Sequence, residues 1–442
     1  MTVASLVLLA VGIPAMTLHV DPNAAPNGDG SPGKPFASLS AALERAGPGV
    51  RIELAGGTYP VSEPVVVKRS GAVGAWLVIV AKPGQKPVLD GTHFEPSEPG
   101  AWLESAVLDL RGVSWVRVEG LSVYRSPAAG IKVQEGCDRV DLVGNTVDTT
   151  FGPGIALWNS TKVRVLGNTI TRANTQDRRL FGDHLREAPH EALSVAGIAG
   201  FEVAYNHVHH CTKEGIDVKE VSREGIVHHN WVHDVDRQGL YVDAWFGELR
   251  DVEMASNLVQ DAEWGMVLSA EGKDSVARRI AFRDNVVERT RGSGFFFGTW
   301  GGDGPREGVT LECNTFRQTG QPKHWAGATG GIDLRSAKPT QVVVKDNLIV
   351  GAPTYAIAWP AGREAHVTIE GNVADREPTV LRNEGLYGTV VAYSGPGLRV
   401  GTGGGARTER NGRLRRVASP DWTREFLPYR VVAGHYPILV RP

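Results

Sequence analysis

An asparagine recurs nine times in one local context, and this repeat limits the possible folds more than any other feature of the chain. An apolar residue stands two positions after each copy. The copies are Asn145, Asn168, Asn206, Asn230, Asn257, Asn285, Asn314, Asn347 and Asn372. They are separated by 23, 38, 24, 27, 28, 29, 33 and 25 residues, which predicts a repeat architecture.

A second marker recurs in phase with the asparagines. It is a small residue followed by alternating side chains, as in the run Gly-Ile-Asp-Val-Lys over residues 215–219. The small residues are Gly130, Gly154, Ala192, Gly215, Gly239, Gly265, Gly294, Gly331 and Ala356. Each repeat of about 24 residues therefore holds two or three short strands and has no room for a helix. We predict an all-β fold, a single parallel β-solenoid whose coils stack at the ~4.8 Å strand spacing.

Stacking of the coils determines what the asparagines do. It places them above one another, so we predict an inward asparagine ladder with a structural role. Residues 35–46 carry apolar side chains at helical spacing, which predicts a short N-terminal capping helix. The β-helix with this cap is predicted to span residues 17–375, and residues 376–442 to form C-terminal coils or a cap. The two longest intervals predict loops at residues 171–187 and 318–330 that border a binding face.

Composition and the first residues limit location and partners. The apolar run at residues 3–11 is shorter than the ~20 residues of a membrane span. It resembles the apolar core of a signal peptide, so residues 1–16 are predicted to be cleaved and the protein to be secreted or periplasmic. The chain has 47 basic and 49 acidic residues, which gives no indication of nucleic-acid binding. We expect a monomer without membrane contact.

Four segments near the start resemble a known group of proteins. They are HVDPN at 19–23, NGDGSPGKPF at 27–36, GGTY at 56–59 and KPGQKPVLDGT at 82–92. They are similar to the opening of right-handed parallel β-helix carbohydrate-active enzymes, a group with pectate-lyase-like lyases and several glycoside hydrolase families. The resemblance implies a right-handed helix and a polysaccharide or oligosaccharide substrate. Pectate lyases that open in this way carry a compact aspartate cluster for calcium, which has no match here.

Strand parity predicts a binding face. The first and third residues after each small residue are apolar and point inward, so the second and fourth point outward. This places Asp217, Lys219, Asp243 and Glu271 outward on three successive coils, with Asp243 one strand spacing from Lys219. Further candidates for substrate contact are Trp158, His190, Glu191, Glu214, Tyr241, Trp245, Phe296, Trp300, Asp333 and Arg335. Aromatic rings beside carboxylates are typical of sites that bind sugars.

Three functions and one structural reading follow from this face. In glycoside hydrolysis, two of Asp217, Asp243 and Glu271 act as the carboxyl pair. In β-elimination on a uronic-acid polymer, Lys219 or Arg335 abstracts the proton and carboxylates bind calcium as the cofactor. The third function is a carbohydrate-binding solenoid without catalysis. The structural reading is a surface ion-pair ladder.

Histidines cluster beside these coils. Alignment on the asparagines stacks His209 on His233, next to Asp234. A zinc site from these three residues is one interpretation. Polar side chains that merely face a turn are the interpretation that the sequence favours.

Overall fold

The computed structural model describes residues 16–94, 105–181, 187–360, 364–385, 387–401 and 417–428. The chain forms a right-handed parallel β-helix of about 12 turns, which confirms the predicted fold class. Each coil contributes strands to three faces, here called A, B and C, and the strands are numbered in chain order. The predicted signal peptide lies outside the described residues except for Met16, which begins the first strand.

Face A precedes the asparagine turn in each coil. Its strands are β1 (Met16–Val20), β2 (Val50–Leu54), β5 (Leu77–Ala81), β8 (Ser114–Glu119), β11 (Asp138–Val143), β14 (Thr161–Leu166), β17 (Ala199–Ala204), β20 (Arg223–His228), β22 (Glu248–Ala255), β24 (Val276–Arg283), β27 (Arg306–Glu307), β28 (Thr310–Glu312), β31 (Pro339–Thr340), β32 (Val342–Lys345) and β35 (Val367–Glu370). Every pairing among them is parallel.

Face B follows the asparagine turn. Its strands are β3 (Gly57–Pro60), β6 (Pro87–Asp90), β9 (Ser122–Ser126), β12 (Thr146–Thr150), β15 (Thr169–Thr171), β18 (His207–Cys211), the first parts of β21 (Trp231–Ala244) and β23 (Leu258–Ala270), β25 (Val286–Glu288), β29 (Thr315–Arg317), β33 (Leu348–Val350), β36 (Asn372–Ala374) and β39 (Leu398–Val400). The strand β39 stacks in parallel on β36, so coil stacking continues beyond residue 375.

Face C follows the small residues. Its strands are β4 (Val65–Val67), β7 (Ala106–Arg111), β10 (Ala129–Gln134), β13 (Ile155–Trp158), β16 (Leu193–Ala196), β19 (Ile216–Lys219), the second parts of β21 and β23, β26 (Phe295–Gly298), β30 (Ile332–Asp333) and β34 (Ile357–Pro360). An antiparallel hairpin of β37 (Arg382–Gly385) and β38 (Gly388–Ala392) pairs with β34. The strands β21 and β23 bend from face B to face C without a break.

Helical segments are short. The capping helix α1 covers Leu39–Leu43, which is shorter than predicted, because Ser38 caps it and a 3₁₀-like end at Glu44 precedes Gly47 and Pro48. The helix α2 (Arg178–Phe181) lies in the insertion that the 38-residue interval predicts. One-turn 3₁₀ helices cover Gly91–His93, Glu364–His366 and Asp421–Glu425. Within the described ranges, we find no helix long and apolar enough to cross a membrane.

The interior consists of stacked apolar rows, as strand parity predicts. One row on face C is completely buried and runs through Ile155, Leu193, Ile216, Leu240, Met266, Phe295, Ile332 and Ile357. Burying such side chains stabilises the fold by about 1.5–3 kcal/mol each. The outward residues between them are thereby held in fixed register from coil to coil.

The asparagine ladder is continuous from Asn145 to Asn372. Each side-chain amide donates to the side-chain oxygen of the next asparagine at 2.9–3.0 Å. Each amide also donates to a backbone carbonyl of the preceding coil, as Asn230 does to Val203 at 2.9 Å. The predicted structural role is therefore confirmed, because the ladder satisfies buried backbone groups at every turn between faces A and B.

The residue before each asparagine adopts the left-handed conformation. Its φ is 60° at Gly144, 53° at His229 and 54° at Asp284. Glycine adopts this conformation without strain, whereas other residues pay roughly 1–2 kcal/mol. Six of the nine positions nevertheless hold a residue other than glycine.

Removal of one rung should destabilise the helix. In Asn230→Ala, the backbone N–H of Asn206 and the carbonyl of Val203 lose their partner inside the core. Buried groups without partners cost about 1–3 kcal/mol each, so we expect the unfolding free energy to fall by at least about 2 kcal/mol in urea denaturation. The exposed Asn27→Ala serves as the matched control and should change it by less than about 0.5 kcal/mol. Equal effects of the two variants would contradict the structural role.

Candidate active site

A pocket of about 670 Å³ opens on face C at the central coils. Its lining residues are Glu191, Lys213, Glu214, Asp236, Arg237, Gln238, Tyr241, Asp243, Glu263, Trp264, Glu271, Trp300 and Trp325. Six of these side chains are acidic and two are basic. The volume lies within the ~300–1,000 Å³ of typical small-molecule sites.

Parallel register brings the predicted carboxylates together. Lys219 on β19 pairs with Asp243 on β21, as the repeat alignment predicts, and Asp217 pairs with Tyr241. Asp243 in turn pairs with Ser269 on β23, and Glu271 lies two residues beyond. The site therefore uses three adjacent coils, each of which contributes outward residues of one strand.

Asp217 is completely buried. Neither of its carboxyl oxygens has a hydrogen-bond partner among the described residues. Burial raises the pKa of Asp217 well above its usual value, and the nearby Glu191 carboxylate raises it further. Because Asp217 does not line the pocket, its proton is held beneath the surface that a substrate would touch.

Asp243 lines the pocket directly. Burial raises its pKa well above the usual value, and the carboxylate of Glu271 adds to the effect. Its Oδ1 has no hydrogen-bond partner among the side chains and backbone that the structure describes. A carboxyl group with a raised pKa thus lines the pocket, which is what a proton donor requires.

Lys219 is engaged by Glu191. Its ammonium lies 2.9 Å from Glu191 Oε1, and Glu191 Oε2 accepts from Ser194 Oγ at 2.8 Å. Burial alone would raise the pKa of Glu191, but the Lys219 ammonium and the hydrogen bonds hold it below the usual value. Burial likewise opposes the charge of Lys219, but Glu191 and Asp217 raise its pKa. Lys219 is therefore a poor proton acceptor.

Glu271 is oriented by Tyr241. The hydroxyl of Tyr241 lies 2.6 Å from Glu271 Oε1 and 2.9 Å from Ser269 Oγ. Burial raises the pKa of Tyr241, followed by the charges of Asp243 and Glu271, so the phenol remains a donor. Gly301 leaves room for the carboxylate, because a Cβ there would lie 2.7 Å from Glu271 Oε2. Glu271 is thus a fixed carboxylate at the pocket wall.

Glu214, which also lines the pocket, is almost completely buried. Burial raises its pKa to about 7, and Glu191 adds to the shift. The charges of Lys213 and Lys219 oppose this rise, and Arg237 Nη1 lies 3.2 Å from Glu214 Oε1. Glu214 and Arg237 together close the end of the pocket near β18 and β21.

Seven lining residues escaped the sequence analysis. Lys213, Asp236, Arg237, Gln238, Glu263 and Trp264 lie at the corner between faces B and C, and Trp325 lies in the insertion at residues 318–330. Glu263 accepts from His324 at 2.7 Å and from Trp325 at 2.5 Å, which ties the insertion to β23. Their place in the repeat could have identified two of these residues. Gln238 and Trp264 directly precede the phased glycines, as Glu214 does.

Three predicted substrate contacts are buried by the C-terminal coils. Phe296 is completely buried and stacks on Trp264 with ring centroids 4.3 Å apart. Asp333 and Arg335 form a buried pair at 2.5 Å, and Arg335 also donates to the carbonyl of Ala328. All three side chains point outward from the coil, as strand parity predicts. The insertion at residues 318–330 and the hairpin of β37 and β38 cover them, so they do not line the pocket.

Three more predicted contacts, Trp158, Trp245 and His190, lie outside the pocket lining. Trp158 is covered by Lys132, whose ammonium lies 3.7 Å above the ring, and by His190 at 4.8 Å between centroids. Trp245 is 52% exposed on the open surface. His190 lies beside the pocket with its Nδ1 3.4 Å from the ammonium of Lys219.

Among the described residues, the pocket carboxylates do not form a calcium site without movement. Among the described residues, the groups of three potential metal ligands with atoms within 4.8 Å all include histidines, and they lie on face B. These groups contain His209, His233 and Asp234, which are therefore separate from the pocket. The carboxylates of the pocket would have to move towards one another to bind calcium.

His190 should make the fold sensitive to acid. Burial lowers the pKa of His190 to about 4, with a further contribution from Lys219. Between about pH 6.5 and pH 4, His190 therefore binds a proton more readily in the unfolded chain than in the folded one. The folded protein loses stability as the pH falls through this range. We expect wild type to lose about 2 kcal/mol more than His190→Gln between pH 7 and pH 5, measured by urea unfolding. Equal losses in the two proteins would show that the fold does not lower the pKa of His190.

Comparison with known proteins places the fold. A family model described as a Pel9A-like right-handed β-helix region matches residues 18–177, and one for right-handed β-helix regions matches residues 106–276. The uncharacterized protein YwoF of Bacillus subtilis (strain 168) is 25% identical over 316 residues. The match covers 64% of this chain and 64% of YwoF.

Solved structures share the architecture at low identity. Pectate lyase Pel9A is 16% identical with a TM-score of 0.52, over 82% of this chain and 80% of that one. Endo-xylogalacturonan hydrolase from Aspergillus tubingensis is 10% identical with a TM-score of 0.54, over 88% and 100%. The surface adhesin PfbA of Streptococcus pneumoniae is 12% identical with a TM-score of 0.50, over 81% and 94%. The chain is thus a right-handed parallel β-helix protein of the pectate-lyase-like fold.

Proposed function

We propose that this protein is a secreted glycoside hydrolase that cleaves a polysaccharide or oligosaccharide in the face C pocket. The proposal rests on two carboxyl groups, those of Asp243 and Glu271, which both line the pocket. One carboxyl has a raised pKa, and the other accepts a hydrogen bond from Tyr241. Two carboxyl groups in such different environments suit one acid and one base.

The roles follow from the two environments. Asp243 donates its proton to the glycosidic oxygen as the bond to the sugar breaks. Glu271 either activates a water molecule or attacks the sugar carbon, and Tyr241 holds it in place. Asp217 does not line the pocket, so it has no direct contact with the substrate in this proposal. Trp300 and Trp325 offer ring faces to the apolar side of a sugar.

The charge of the pocket favours a neutral sugar. With Asp243 protonated, five acidic side chains still face two basic ones, which repels a polyuronate unless a cation intervenes. Both basic residues considered for elimination are engaged, Lys219 by Glu191 and Arg335 by Asp333. These contacts support hydrolysis over elimination.

Calcium-dependent elimination is the second candidate. The Pel9A-like family model favours it, as does Lys213, whose side chain lines the pocket and donates to the carbonyl of Ala188. One fold carries both chemistries, so the fold does not choose between them. The similarity to an adhesin keeps binding without catalysis as a third outcome of the experiment below.

The test is product analysis on neutral and uronate polysaccharides, with and without a calcium chelator. We expect new reducing ends from a neutral polymer, no unsaturated ultraviolet-absorbing product, and no effect of the chelator. Asp243→Asn should lower kcat at least about 100-fold, since it removes the proton donor. A chelator-sensitive unsaturated product would instead establish elimination, and retention without cleavage would establish binding alone.

The control for Asp243→Asn is Asp261→Asn. Asp261 is a part-exposed aspartate on face B that pairs with Arg289 at 2.7 Å, outside the pocket. Its replacement should leave kcat within about twofold of wild type. Circular dichroism should show the same fold in both variants. Full activity of a folded Asp243→Asn would remove Asp243 from the mechanism.

A further inference from the structure

Three histidines form a second cluster of potential ligands on face B. His207 and His209 stand two residues apart on β18, so both point outward, and His233 lies on the adjacent strand β21. The register pairs His209 with His233 and His207 with Trp231. The cluster therefore spans two successive coils, and all three side chains are half-buried.

Ring nitrogens of the three histidines lie close to one another. Each histidine offers one nitrogen, and the three lie within 4.8 Å of one another. Nε2 of His207 lies 2.8 Å from Nε2 of His233. Zinc–nitrogen bonds of ~2.0–2.1 Å place tetrahedral ligands about 3.3 Å apart, so small ring rotations fit an ion. A metal ion would bind the lone pairs of both Nε2 atoms. Without a metal ion, one of the two Nε2 atoms must carry a hydrogen and donate it to the other.

The remaining ring nitrogens have other partners. Nδ1 of His233 lies 2.6 Å from Asp234 Oδ2, which fixes the proton on Nδ1 and leaves Nε2 facing His207. Nδ1 of His209 lies 3.3 Å from Thr171 Oγ1. Trp231 stacks on His207 with ring centroids 4.3 Å apart and an interplanar angle of 1°. Carboxylate-held histidines of this kind are typical of metal sites.

We propose that His207, His209 and His233 bind a divalent transition-metal ion of the zinc class, with a fourth position open to water. Imidazole ligands suit this class and not calcium or magnesium. The set differs from the sequence-based one, because His207 replaces Asp234 as a ligand and Asp234 becomes a positioning residue. The ion would link β18, which is followed by β19, to β21, which also carries Asp243. It would therefore hold these two central coils together.

The test is metal titration of the untagged, full-length protein after chelator treatment. Zn²⁺ should bind with one equivalent by calorimetry, and Co²⁺ should give the absorption bands of a four-coordinate ion. His207→Gln and His233→Gln should each weaken binding at least 100-fold. Asp234→Asn should weaken it about 10–100-fold, because it acts through His233. His366→Gln, at an exposed histidine elsewhere, should bind as wild type does.

A second readout does not depend on the variants. Zn²⁺ should shift the imidazole resonances of the three ligands in the wild-type spectrum and raise the Tm. Shifts confined to other histidines, less than one equivalent bound by wild type, or unchanged affinity in folded His207→Gln and His233→Gln would each overturn the proposal.

Discussion

The parallel register between coils is the constraint on which the rest of this structure depends. The asparagine ladder and the buried apolar rows fix each coil over the last, so a side chain has one neighbour above and one below. A shift by one residue would turn every outward side chain inward, which the buried rows prevent. The carboxyl pair and the histidine cluster both depend on this register, since each combines side chains from successive coils.

Stacking acidic residues on adjacent coils has an electrostatic consequence. Asp217, Asp243, Glu191 and Glu214 crowd into a buried space where one ammonium, that of Lys219, is shared. Burial raises the pKa values of Asp217 and Asp243, and the charge of Glu191, which the Lys219 ammonium holds ionised, raises them further. The arrangement costs stability, because carboxyl groups are buried without full hydrogen bonding. Such a cost at a pocket wall is typical of functional sites.

Much of this organisation could be predicted from the sequence because it is periodic. The asparagines, the phased glycines and strand parity gave the fold, the ladder and the pairing of Lys219 with Asp243. What covers an outward residue was not predictable, because it depends on irregular segments. Phe296, Asp333 and Arg335 have the predicted parity but lie beneath the insertion and the C-terminal hairpin. Trp325 reaches the pocket through the same insertion, which has no period, and there it donates to Glu263 on β23.

Because burial raises the pKa values of Asp217 and Asp243, these carboxyl groups on face C should keep their protons at neutral pH. Infrared spectroscopy measures this directly, because a protonated carboxyl absorbs separately from a carboxylate. We predict that the folded wild-type protein shows a protonated-carboxyl band at pH 7 that weakens in both Asp217→Asn and Asp243→Asn. A spectrum without that band, or a band unchanged in both folded variants, would contradict the account.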